Sequence, residues 1–231
     1  MRVRRLHRWT IDYREAVAIQ EHLAGQVVEG PSLDRVRLVA AADVSGGRAG
    51  EWISAAVVVA DAETMEVLEV RCAHERATWP YVPGCLSFRE VPVLAKAFRQ
   101  VRLRPDVVLC DGQGRAHPRR LGLACHLGLM LELPTIGCAK SLLVGTVMGE
   151  PGRQRGSRAA LMDGGERIGT VLRTRTDVRP VYVSVGHRID LASAERWVLA
   201  TATRYRLPDP SRRAHQEVTS QQKEWTRRGH A

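Results

Sequence analysis

No stretch of the 231 residues supplies the run of about 18 apolar residues that a membrane-spanning helix needs. The start, MRVRRLHRWT, is basic but is not followed by the apolar core of a signal peptide. Cysteine is scarce: Cys72, Cys85, Cys110, Cys125 and Cys138 make an odd count with no C-x-x-C spacing. Most sit in apolar surroundings and read as free core thiols in a reducing compartment. A soluble, cytoplasmic chain is the expectation. The pair Lys140-Ser141 lacks the glycine that a phosphate loop places before its lysine, because Ala139 stands there. Acidic residues are also in deficit, 25 against 35 Lys and Arg, leaving a formal charge of +10. That balance favours a polyanionic partner without identifying one.

What is present suffices for a full core. Hydrophobic residues make up 44% of the chain, and one domain over 1–231 is expected, with 217–231 as a flexible basic tail. Asp12 with Glu15, then Ala16, Ile19 and Leu23 on one stripe, predict an amphipathic helix over 10–23. Residues 35–42 alternate and then turn wholly apolar before Asp43, which predicts a strand presenting an acid. A turn-rich link over 45–50 follows. Strands over 52–60 and 65–72, joined by a short link, complete an antiparallel meander.

Pro80, Pro83 and Gly84 forbid regular structure before the next helix. That helix is expected over 90–100, with Val91, Leu94, Ala95, Phe98 and Val101 on one face. Ser87 and Glu90 fit a capping box. Pro92 argues against it, since a start at Ser87 would put proline inside the helix; the start is expected nearer Glu90, with that carboxylate free at the helix mouth. Val107 to Cys110 is a short apolar run suited to a strand covered on both faces. Asp111 ends it, followed by Gly112 and Gly114, where an open α/β sheet places its ligands; the alternative is an acid that only caps the turn. A helix over 118–131, a strand over 134–140 and a mobile Gly- and Arg-rich loop over 150–158 are expected next. A hairpin over 159–172 through Asp163-Gly164-Gly165, a strand over 181–185 and a helix over 190–205 follow. The polar segment from 207 is expected to fray at its end.

Three meander strands followed by helix, strand, helix, strand is the element order of the RNase H-like fold. It implies an α/β protein with a central mixed five-stranded sheet flanked by helices, with extra strands and helices. In that order Asp43 and Asp111 stand side by side, and Glu90 closes a triangle. Three carboxylates that close repel unless a cation lies between them. Oxygen ligands that must also admit phosphate suit Mg²⁺, with Mn²⁺ as a substitute. Such a site hydrolyses phosphodiesters by in-line displacement. The alternative is a scatter of structural acids that happen to fit.

The run Trp79-Pro80-Tyr81-Val82-Pro83-Gly84-Cys85-Leu86-Ser87-Phe88-Arg89-Glu90 closely resembles the endonuclease V family. So do Asp111-Gly112-Gln113-Gly114 with His117-Pro118-Arg119, Gly122-Leu123-Ala124 and His126-Leu127-Gly128. Gly137 to Ser141, Pro180 to His187 and Arg213-Ala214-His215 extend the likeness over about residues 12–215. The resemblance implies a Mg²⁺-dependent DNA repair endonuclease. Its substrate is deaminated adenine, the hypoxanthine base of inosine, and it cuts the second phosphodiester on the 3′ side, leaving 3′-hydroxyl and 5′-phosphate ends.

Carried over by position, Asp43, Glu90 and Asp111 hold metal, and Lys140 steadies the attacking water or the phosphate. His215 assists at a second metal position or on the leaving side. Outside the resemblance, Lys140 reads as a solvated strand-end lysine and His215 as a surface histidine. Pro80, Tyr81, Val82 and Pro83 resemble the family's wedge, a rigid aromatic loop that fills the gap left by an extruded base; otherwise they read as a packed loop. Gly84, Leu86, Gly112, Gly122 and Leu143 are candidates for the lesion pocket, and His117 and Arg119 for phosphate contacts. The implied partners are DNA with deaminated bases and inosine-containing RNA, with no membrane and a monomeric protein. The competing readings are an inosine-specific ribonuclease, another RNase H-like nuclease, and a non-catalytic nucleic-acid-binding module.

Overall fold

The structure, a computed structural model, describes residues 1–46 and 51–228. Four residues of the link expected over 45–50 therefore lie outside the described residues. Helix α1 (Tyr13–Ala24) opens on a complete capping box, Asp12 accepting from the Glu15 backbone N–H and the Glu15 carboxylate from the Asp12 N–H. The meander follows as β1 (Leu38–Gly46), β2 (Trp52–Asp61) and β3 (Val67–Arg76), antiparallel throughout. Helix α2 (Leu86–Gln100) leads to β4 (Val107–Cys110), and α3 (Leu123–Leu131) to β5 (Thr135–Ala139). Both of these strands add parallel, β4 to β1 and β5 to β4. The rest comprises β6 (Thr146–Met148), β7 (Arg158–Asp163), β8 (Glu166–Leu172), β9 (Val181–His187), α4 (Leu191–Thr201) and α5 (Asp209–Arg227).

Among the described residues nine strands join one sheet in the order β3-β2-β1-β4-β5-β9-β8-β7-β6. Its first five are the expected mixed core. The remaining four form an antiparallel extension in which Asp163-Gly164-Gly165-Glu166 makes the expected hairpin turn, both glycines having positive φ.

Side-chain parity decides what the core strands present. Leu38, Ala40 and Ala42 of β1 and Val108 and Cys110 of β4 face a layer containing α2 and α3. Val39 and Ala41, with Val107 and Leu109, face the opposite layer with α4 and α5. Period-two alternation then sends Asp43 and Asp111 to the α5 side. Because Ala42 is paired with Cys110 in parallel register, the two acids emerge as neighbours.

Three expected boundaries are corrected. Helix α2 begins at Leu86 with Cys85 as its cap and no side-chain capping bond, so Pro92 is interior and Glu90 lies a full turn inside. An interior proline costs about 3 kcal/mol. Burying Val91, Val93, Leu94 and Phe98 along the same helix outweighs it at roughly 1.5–3 kcal/mol each. Helix α3 begins at Leu123; residues 118–122 form turns, with Arg120 at φ 56° and Gly122 as the cap. Most of the tail expected over 217–231 is helical, because α5 runs continuously from Asp209 to Arg227. It buries Ala214 and Val218, bonds Gln222 to the Trp52 carbonyl at 2.9 Å and stacks Trp225 on His74 at 4.0 Å. The 150–158 loop is tied by Arg153 to Asp177 and by Arg155 to the Leu199 carbonyl.

Candidate active site

Asp43, on β1, is 8% exposed, and its Oδ2 lies 2.8 Å from Nδ1 of His215 on α5. Burial, then the neighbouring charge of Asp111, holds its carboxyl above the ordinary range despite that bond. Glu90 reaches the same place from the other face of the sheet. Burial first, then the charges of Asp43 and Asp111, push it up to about 8. Like charges raise one another only when near, so the three acids form one electrostatic unit. They do not yet form one ligand set. Among the described residues no three His, Cys, Asp or Glu side chains are arranged to hold a metal. Asp43 is turned to His215 and Asp111 to the ammonium of Lys140.

Lys140 follows β5 directly, and its backbone carbonyl accepts from Arg206 at 2.6 Å while Arg206 also bonds the Pro180 carbonyl at 2.7 Å. Arg206 thereby fixes the strand end that carries Lys140. No motif in the sequence singles it out, because an arginine ahead of a proline-containing turn reads as solvated charge.

Beside Asp111 lies a cavity of about 260 Å³, just under the roughly 300–1,000 Å³ of drug-sized ligand sites. All five lesion-pocket candidates, Gly84, Leu86, Gly112, Gly122 and Leu143, line it, and so do Asp111 and Lys140. Tyr81 and Pro83 complete the wall, Tyr81 being 70% exposed. Pro80 and Val82 do not line it. Val82 packs against the Trp79, Cys85 and Phe88 cluster, and Arg89 donates to the Trp79 carbonyl at 2.6 Å, so the projecting tyrosine has a rigid root. Gly84 turns there at φ 77°, a conformation that favours glycine.

His117 and Arg119, expected to contact phosphate, are turned inward. His117 is 3% exposed, and burial lowers it to about 4, so its ring is neutral. Its Nδ1 accepts from the Arg119 backbone N–H, which leaves Nε2–H to donate to the Gly84 carbonyl at 3.1 Å. The Arg119 guanidinium donates to the same carbonyl at 2.7 Å and to Gln20 at 2.6 Å. Gln20 adds a third donor to Gly84 at 2.9 Å. The physical reason for the difference is that a buried carbonyl at a positive-φ turn needs donors, and these residues are nearest. Gln20, on α1, carries no sequence signal beyond being polar on an apolar stripe.

A 3-2-1-4-5 sheet core with carboxylates at its first and fourth strands and on the covering helix defines the RNase H-like class of nucleases. Residues 21–216 match the Endonuclease V family model. The Endonuclease V of Alkalilimnicola ehrlichii is 50% identical over 213 residues, 92% of this chain and 93% of its own. The crystal structure of Endonuclease V from Streptomyces avermitilis has a TM-score of 0.89 at 41% identity, covering 98% of this chain and 100% of that one. Ciona intestinalis Endonuclease V, in complex with a 24mer DNA containing an inosine followed by a ribo-adenosine, has a TM-score of 0.81 at 25% identity, covering 91% and 98%. The chain belongs to the Endonuclease V family, and with that family it is a nuclease.

Proposed function

We propose that this protein incises DNA at deaminated adenine, cutting the second phosphodiester 3′ to the hypoxanthine base and leaving 3′-hydroxyl and 5′-phosphate ends. One observation carries the reading: a single base-sized cavity has Asp111 and Lys140 in its wall and the exposed Tyr81 beside them. Extruding a base costs a few kcal/mol, least when it is mispaired. Tyr81, rooted by Trp79 between two prolines of fixed φ, fills the gap with little loss of chain freedom. The Ciona relative bound to inosine-containing DNA supports the same substrate here.

The donor set fits a hard cation. Asp43 and Glu90 are held above the ordinary carboxyl range by burial and by the neighbouring acids, and a Mg²⁺ or Mn²⁺ ion among the oxygens would relieve that repulsion. Asp43, Glu90 and Asp111 would hold it. When bound, such an ion supplies an activated water and stabilisation of the departing oxygen. Lys140 sits where its ammonium steadies the scissile phosphate or the attacking water. His215, bonded to Asp43, would serve the leaving oxygen or a second metal position.

Nick mapping on one inosine-containing oligonucleotide, with and without Mg²⁺, tests this. The expected product is a Mg²⁺-dependent nick at the second 3′ phosphodiester with the stated ends. A nick elsewhere, or incision indifferent to the ion, contradicts the reading. The Ciona ligand, with its ribo-adenosine after the inosine, makes inosine-containing RNA the second substrate to run beside DNA. Binding without cutting of either would leave a non-catalytic module.

A further inference from the structure

Ser87 lines the cavity, is 2% exposed, and places its hydroxyl 3.1 Å from Nδ1 of His126. His126 is fully buried, and its Nε2 lies 2.9 Å from Nε2 of His7. His7 in turn sets Nδ1 2.6 Å from the Arg8 carbonyl oxygen. Trp9 stacks beside His126 at 5.5 Å and Phe88 meets its edge at 5.4 Å, so both rings are held in an aromatic box. His7 precedes the residues 21–216 that match the family.

The direction of this chain is fixed from its far end. A carbonyl only accepts, so Nδ1 of His7 carries a proton and donates to it. Burial lowers His7 and brings His126 down to about 3, so each ring is neutral and holds one proton. Nε2 of His7 is then bare and accepts from Nε2–H of His126. Nδ1 of His126 is bare in its turn and accepts the hydroxyl proton of Ser87. Ser87 has thus committed its only donor and retains acceptor lone pairs alone.

We propose that Ser87 is a specificity-determining residue that accepts a hydrogen bond from the N–H edge of the extruded base, a polarity imposed by the His126 and His7 relay. The inference rests on reading this cavity as the hypoxanthine pocket. Adenine presents a bare N1, and two acceptors face to face lose a hydrogen bond on both sides. Deamination places a proton on N1 and turns the same contact into a bond. A serine free to rotate would serve either base; one held by the relay serves only the deaminated one.

The test is equilibrium binding of the full chain to single-stranded oligonucleotides bearing hypoxanthine, adenine or unsubstituted purine at one position, with chelator present to stop incision. The wild type is expected to prefer hypoxanthine. Ser87→Ala should weaken hypoxanthine binding about tenfold, the worth of one such bond, without weakening binding to purine, whose N1 is bare. His7→Phe keeps the ring packing while removing the anchor, and should narrow the hypoxanthine-to-adenine ratio several-fold without weakening binding to adenine. Equal losses on all three bases, or an unchanged ratio in both variants while the wild type prefers hypoxanthine, overturn this inference alone. A wild type with no preference overturns the proposed function with it.

Discussion

At the scale of single residues, the site is a balance of charges held by burial. On the proposed function Asp43 and Asp111 would serve chemistry more than grip, so Asp43→Ala or Asp111→Ala should abolish incision while inosine-DNA binding stays measurable in a gel-shift assay; incision at wild-type rate in both would refute the assignment. Tyr81 is largely exposed and reaches past its anchored loop. Tyr81→Ala is accordingly expected to lower affinity for inosine-containing duplex more than for undamaged duplex, and equal losses would rule out the wedge. The inward-turned Arg119 gives a prediction of opposite sign to a phosphate contact. Losing a phosphate contact lowers the slope of log affinity against log salt by about 1. Arg119→Ala should weaken lesion binding by loosening Gly84 and leave that slope unaltered.

At the scale of elements, α5 delivers His215 to Asp43 and is fastened at its other end by Gln222 and Trp225. Trp225→Ala removes a half-buried aromatic stacked on His74, a loss of about 2 kcal/mol in unfolding free energy. Incision should fall alongside, as measured by urea unfolding and nicking on the same preparation; full activity in a destabilised variant would detach the clamp from the site. Helix α1 is legible in the sequence because Asp12 and Glu15 state its start outright, and the β7 to β8 turn because Asp163-Gly164-Gly165 fits one turn chemistry. Helix α5 is not legible, because only a few of its side chains are buried and its apolar stripe is too thin to stand out from a charged tail. The start of α2 was misplaced because proline's local cost was weighed without the tertiary burial that exceeds it. Three-residue β6 offers too short a period to read. For the candidate site, the nearness of the acids and the placing of the glycines around one cavity were legible from their motif positions. Ser87, Gln20 and Arg206 were not, because their roles depend on partners distant in sequence.

At the scale of the whole molecule, opposing groups of titrations set the pH of greatest stability. Burial lowers His117 and His187 to about 4 and His126 to about 3. Their contribution is complete above the unfolded value near 6.5 and is lost as pH falls toward 4. Asp43 is raised too, and Glu90, raised to about 8, contributes most below about 4.5 and loses that contribution as pH rises through 8. The metal-free protein should therefore be most stable near pH 6.5. Mg²⁺ should raise its melting temperature more at pH 8 than at pH 6.5, because at the lower pH it competes with a proton on Glu90. A melting temperature flat from pH 5 to 8 in calorimetry would contradict both parts. The reach of α5 has a consequence for biosynthesis. The bond from His215 to Asp43 spans 172 positions, so a nascent chain stopped short of residue 215 carries all three acids without their histidine. The Asp43–His215 pair then closes late in translation, when the ribosome has already delivered the whole sheet.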